Sequence, residues 1–261
     1  MHKYFILIFL CVCLVNRVTA QEFVPGDIDT DRPDQTESPV TIRKKWVQIE
    51  HGFGIAGDGA VKTSASSTLF RYGLFNFLEL RLETDFIHTN ATGFAHATTE
   101  LQPVIVGAKV PLWEEKRWIP KTSILLYAGW PFLAARSFRN FDVQRGMRIA
   151  FQNNLSQTIS WGYNAGIEWD GQNSSPYYLY TFSNGINFTK KLYGFVEAFG
   201  FINKVELPQH SLDAGLSYLA GNNCKLDISS AVGLTKPAPD WSVAIGISVS
   251  FTTSRLAKRE K

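Results

Sequence analysis

The stretch Trp241-Ser-Val-Ala-Ile-Gly-Ile-Ser-Val-Ser-Phe251 constrains the fold more than any other part of the chain. Trp241, Val243, Ile245, Ile247, Val249 and Phe251 occupy the odd positions. Ser242, Ala244, Gly246, Ser248 and Ser250 occupy the even ones. A period of two means a β-strand with one apolar face and one small, polar face. The run is as long as the about 9–11 residues that a tilted strand needs to cross a bilayer. Aromatic side chains close its apolar face at both ends, as two interfacial girdles do.

The same pattern recurs along the chain. Leu78, Leu80, Leu82 and Phe86 alternate with Glu79, Arg81, Glu83 and Asp85. Segments 161–170, 211–218 and 225–234 repeat it, and weaker versions occupy 46–55, 66–74, 98–110, 121–131, 146–155, 176–188 and 191–202. The parity of 191–202 stays open, because Tyr193, Phe195 and Phe199 share a face with Glu197. The total is twelve strands, with roughly 17 residues for each strand and its connection against the about 9–11 that span. Connections at 75–76, 158–159, 189–190 and 221–223 are short. Those at 56–64, 89–97, 132–145, 203–210 and 235–240 are longer. Short turns at one end and longer loops at the other are the mark of an outer-membrane barrel. The charged segment 111–119 breaks this rule.

The expected fold is therefore all-β: a membrane-spanning antiparallel up-and-down barrel of about 12 strands over residues 45–251. A secreted sandwich also alternates, but its strands average about 5–6 residues. Four charged residues in succession on one face, Glu79 to Asp85, suit a hydrated lumen better than a rim. Composition agrees. A chain that is 45% hydrophobic and 13% aromatic is not disordered. Past residue 20 no apolar run reaches the roughly 18 residues of a spanning helix. Residues 21–251 are slightly acidic, so no basic nucleic-acid footprint exists and no nucleic-acid partner is expected.

Residues 1–20 have a signal-peptide pattern: Lys3, an apolar stretch from Tyr4 to Val15, then Val18-Thr19-Ala20 before the expected cleavage. Cys11 and Cys13 would leave with it. Cys224 alone would remain, which excludes an internal disulfide or a cysteine metal cluster. Residues 21–44 form a polar leader, expected to be periplasmic or to plug the mouth. Residues 252–261 form a basic tail.

Residues 29–39, Asp-Thr-Asp-Arg-Pro-Asp-Gln-Thr-Glu-Ser-Pro, followed by Trp46-Val47-Gln48-Ile49-Glu50, resemble the opening of an outer-membrane barrel family of Bacteroidetes-type bacteria, the "putative MetA-pathway of phenol degradation" family. The resemblance continues through Gly162–Gly166, Phe195–Glu197, Asp213–Leu216 and the closing strand. It implies a twelve-stranded barrel in the bacterial outer membrane, inserted by the barrel-insertion machinery and surrounded by outer-membrane lipid. It also implies passage of small, aromatic or hydrophobic solutes. The ten residues beyond Phe251 depart from the family pattern, in which the chain commonly ends at the last aromatic.

By parity the lumen-lining set is Glu50, Arg71, Glu79, Arg81, Glu83, Asp85, Lys109, Arg148, Gln152, Asn164, Glu168, Asp170, Glu197, Asp213 and Asp227. The leader adds Asp29, Asp31, Arg32, Asp34 and Glu37, with Pro33 and Pro39 to stiffen it. Mixed charges across a lumen this narrow either line a selective path or pair and close it. Hence two function classes stand: a channel for small solutes, and a structural or interaction barrel with a closed lumen. A third, a lipid-modifying enzyme, would need His88 to meet Ser64, Ser66 or Ser67 on the lipid side. No G-x-S-x-G supports it, and no catalytic residue is assigned. Asp27, Asp29 and Asp31 fail as a calcium loop, since Arg32 replaces the required Gly and Ser38 the required Glu. His51, His96 and His210 lack metal-site spacing. No metal or cofactor is expected.

Overall fold

The computed structural model describes residues 28–91, 97–139 and 141–253. The expected signal sequence, the first residues of the leader and the tail from residue 254 lie outside the described residues.

Alternation becomes strands throughout. They are β1 (Trp46–Asp58), β2 (Val61–Phe75), β3 (Leu78–Ala91), β4 (Thr98–Leu101), β5 (Val104–Trp113), β6 (Lys121–Trp130), β7 (Gln144–Asn154), β8 (Ile159–Trp169), β9 (Tyr177–Asn187), β10 (Leu192–Ile202), β11 (Gln209–Leu219), β12 (Cys224–Gly233) and β13 (Trp241–Thr252). Neighbours in sequence pair antiparallel, and β1 pairs with β13 along its length, from Trp46↔Thr252 to Gly57↔Trp241. The sheet is thus closed, with no edge facing lipid, as a bilayer requires. β4 and β5 both pair with β3, at Phe86–Thr89 and Glu79–Glu83, so they form one stave interrupted at Gln102-Pro103. Proline cannot donate to the ladder there. The result is an antiparallel barrel of twelve staves.

The distribution of polarity is inverted relative to a water-soluble domain. Ile245, Val243, Ile228 and Val232 are exposed on the outside. The largest fully buried side chains include Arg71, Lys109, Glu50, Glu79 and Glu197. Apolar groups face outward because lipid is the solvent, and charged groups face inward because only the lumen offers them partners. Among the described residues no helix is long and apolar enough to cross a membrane.

Three expectations change. Residues 56–64 are not a long loop: β1 and β2 pair as far as Asp58↔Val61 and turn at Gly59-Ala60. Gly59 adopts φ +53°, a left-handed conformation that costs glycine little. Segment 111–119 is a folded turn at the short-turn end. Lys116 and Ile119 exchange backbone hydrogen bonds of 3.0 Å, and Glu115 accepts from the backbone and side-chain amides of Asn154. In β10 the open parity resolves: Phe195 and Glu197 are buried inside, while Val196 faces out.

Candidate functional site

The lumen is occupied by the chain's own leader. An irregular backbone carries one donor and one acceptor per residue, and inside a barrel each needs a partner. Here the wall supplies them. The N–H groups of Asp31, Gln35, Glu37 and Ile42 donate to Glu50 (3.0 Å), Glu197 (2.7 Å), Asn164 (2.7 Å) and Glu79 (2.8 Å). The carbonyls of Asp29, Gln35, Glu37, Ser38 and Val40 accept from Arg71, Arg148, Asn164, Lys109 and Arg71 again. Gln48 adds a second donor to Asp29.

Asp31 is the electrostatic centre. Its carboxylate lies 2.5 Å from Arg81, 2.9 Å from Lys109 and 3.2 Å from Arg71, and its side chain is almost fully buried. Arg71 is also held by Glu79 at 2.8 Å and Glu50 at 2.9 Å, and Arg81 reaches Glu37 at 3.0 Å. Burial alone would raise the Asp31 pKa, but the three cations hold its carboxyl well below the usual carboxylate range. These cations come from β2, β3 and β5, one wall of the lumen.

The opposite wall has the reverse character. Asp34 faces Ser183 of β9 at 3.2 Å and lies close to Glu197 of β10. Burial, with the Glu197 charge adding to it, pushes the Asp34 carboxyl well above the usual range. Thr36 bonds to both Thr181 and Glu197. Glu197 and Asp213 are register partners across β10 and β11, both pointing inward. Between the two walls, Arg32 crosses the seam of the barrel. An added Cβ on either of the paired glycines Gly52 and Gly246 would overlap its guanidinium, so the side chain lies on a bare patch of wall. From there it reaches Asp227 at 3.2 Å and the Ile245 carbonyl at 3.3 Å.

The leader forms part of the lining of two cavities. One, of about 400 Å³, opens in the outer half among Ser67, Glu83, Ile105, Tyr127, Arg148 and Glu168. The other, of about 380 Å³, lies toward the short-turn end among Gln152, Asn187, Lys190, Tyr193 and Lys225. Arg32, Asp34 and Glu37 border both.

Of the residues selected by parity, Glu50, Arg71, Glu79, Arg81, Lys109, Arg148, Asn164, Glu197 and Asp227 bond directly to the leader. Asp213 lies behind Glu197. Glu168 holds Arg148 and Tyr127, and Gln152 lines the inner cavity. Glu83 and Asp85 stand above the leader on β3, and one buried Asp85 oxygen has no hydrogen-bond partner. Asp170 is a correction. It lies past the end of β8, accepting from the N–H groups of Gln172 and Asn173 in the outer turn. Parity loses its meaning once the strand ends at Trp169. Sequence reasoning passed over Gln48, Thr36, Ser38, Thr181, Ser183 and Lys225. All are polar residues on the inward parity or in the leader, so the signal was present but lacked charge or a second criterion. His88 bonds to Thr99 at 2.8 Å rather than to a serine.

A family model described as "Putative MetA-pathway of phenol degradation" matches residues 30–251, which takes in the leader from Thr30 and every stave. The chain belongs to this family. Among solved structures, the COG4313 outer membrane channel from Pseudomonas putida F1 is similar at TM-score 0.64 and 10% identity, with 85% of this chain and 100% of that one covered. The KdgM porin aligns at TM-score 0.55 and 13% identity, covering 78% and 99%. The NanC porin aligns at 0.55 and 8%, covering 78% and 98%. No curated protein sequence matches. At such identities the likeness is one of fold, and the fold is that of an outer-membrane barrel. These neighbours are channels and porins rather than enzymes.

Proposed function

We propose that this protein is an outer-membrane channel for small solutes in which the leader restricts the path. The observation that carries the reading is the leader itself. It is not a passive extension, because its backbone and side chains hydrogen-bond to residues from ten of the twelve staves. The family description supports small, aromatic or hydrophobic solutes, and Tyr193 and Tyr127 give the two cavities aromatic surface. Export through a signal peptide cleaved after Ala20 and insertion by the barrel-insertion machinery complete the reading.

Planar-bilayer recording tests it. Removing residues 28–40 should leave the barrel assembled, judged by its mobility on unboiled gels, and raise single-channel conductance several-fold. Liposome uptake of a small aromatic solute should rise in parallel. An assembled barrel with unchanged conductance and uptake would favour the closed, structural alternative.

A further inference from the structure

The two ends of the barrel differ in charge. In the outer turns and the strand ends beside them, the described residues hold six cations and six carboxylates, from Asp58 to Asp240. At the short-turn end, setting aside Glu79 and Lys225, which bond to the leader inside the lumen, the described residues hold eight cations and two carboxylates. The cations fall into three groups: Arg43-Lys44-Lys45 before β1, Lys116-Arg117 with Lys121 between β5 and β6, and Lys190-Lys191 between β9 and β10. Glu114 pairs with Lys121 at 3.1 Å and Glu115 accepts from Asn154, and against eight cations the two carboxylates leave an excess of six positive charges. Around a ring of twelve staves these groups stand about four staves apart.

Exposed aromatic side chains accompany each group. Phe75 and Phe77 stack beside the foot of β1, Trp118 is 91% exposed next to Arg117, and Phe188 is 57% exposed two residues before Lys190. Aromatic rings prefer the boundary between hydrocarbon and headgroups, and Lys and Arg beside them reach the phosphate level. A protein partner would need one continuous patch. Three patches spread around the circumference fit instead a partner that surrounds the barrel.

We infer that the periplasmic rim binds anionic phospholipid headgroups of the inner leaflet, the phosphodiesters docking on the three Lys/Arg groups. This goes beyond the channel reading and does not depend on it. Basic groups near an anionic surface gain attraction that salt screens.

The test uses the full mature chain in bilayers containing brominated lipid, with quenching of tryptophan fluorescence reporting which lipid occupies the annulus. Brominated phosphatidylglycerol should be preferred over brominated phosphatidylcholine several-fold at low salt, and the preference should shrink at 0.5 M NaCl, where charges are screened over about 4 Å. Replacing Lys44, Lys45, Lys116, Arg117, Lys190 and Lys191 by Gln should bring it close to one while the barrel keeps its unboiled-gel mobility. Single-pair replacements, which perturb the fold less, should each remove part of it. No preference in the wild type, or one unaffected by the six replacements, would overturn the inference. Equal binding of both lipids, with cosedimentation of wild type but not the sixfold variant on purified peptidoglycan, would overturn it in favour of an anionic cell-wall polymer.

Discussion

Asp31 and Asp34 are the same residue type, three positions apart in one strip of chain, and they meet opposite surroundings. Asp31 is enclosed by Arg71, Arg81 and Lys109, while Asp34 is set against Ser183 and the Glu197–Asp213 side of the barrel. The leader is thus held by charge on the β2–β5 wall and by hydrogen bonds among carboxyls and hydroxyls on the β9–β11 wall. One attachment needs an ionised carboxylate. The other is weakened by one. A lumen that reads in sequence as a uniform mixture of charges is, in space, two unlike surfaces.

The largest test of this contrast is Asp31→Asn. Removing the carboxylate leaves buried cations short of a partner, which typically costs about 3–5 kcal/mol. The loss should fall on leader docking, read as increased conductance and as protease sensitivity of the leader from the periplasmic side. Asp34→Asn should not loosen the leader at all, and equal effects of the two would break the comparison. Next in size is Ile245→Arg on the lipid face, which should cost about 2–4 kcal/mol if the position lies near the midplane. Denaturant unfolding in lipid vesicles measures it. Because Ile245 faces lipid, this loss should appear in barrel stability with docking unchanged, which separates the two quantities.

A smaller effect is expected from pH. The raised Asp34 pKa means that its favourable, protonated contribution is complete below the ordinary carboxylate value of about 3.9 and is lost as pH rises through the shifted value. The lowered Asp31 pKa has the opposite sign: its contribution is present above about 3.9 and fades only as pH falls through the lowered value. Lowering the pH through the raised Asp34 value should therefore tighten the leader and reduce open probability in bilayer recordings. Asp34→Asn should remove that dependence, and its persistence in the variant would assign it to other groups. Smallest is Gly52→Ala, whose Cβ would lie 2.1 Å from an Arg32 nitrogen. A flexible side-chain end can step aside, so less than about 1 kcal/mol of docking should be lost. A pulsed-EPR distance from a leader spin label to the β13 wall would show the shift.

Much of the barrel was legible because period-two alternation is a direct projection of which face meets lipid. Glu50, Arg71 and Lys109 follow from it one by one. Where the projection fails, the reasons are physical. Residues 56–64 are small and polar, a composition shared by turns and by strand ends that project beyond the bilayer, and only pairing distinguishes them. Phe195 is apolar yet inward, because the lumen here is filled by chain rather than water, so the rule that apolar means outside no longer applies. The leader's stiffness and charge left it either free in the periplasm or placed at the mouth. Its depth did not follow, since the wall residue that each carboxylate meets depends on register around the whole ring.

Arg32 and Asp31 are adjacent, yet they bind on opposite sides of the join between the first and last staves. Asp31 is fastened to β2, β3 and β5, while Arg32 is fastened to β12 and β13. The partners Arg32 and Asp227 are 195 residues apart in the chain. No such partner exists until the final hairpin stands in place beside β1. The Arg32 contacts therefore require a closed ring, whereas the Asp31 contacts require only β1 to β5. One short strip thus ties together the two ends of the strand order, the first staves through Asp31 and the last through Arg32.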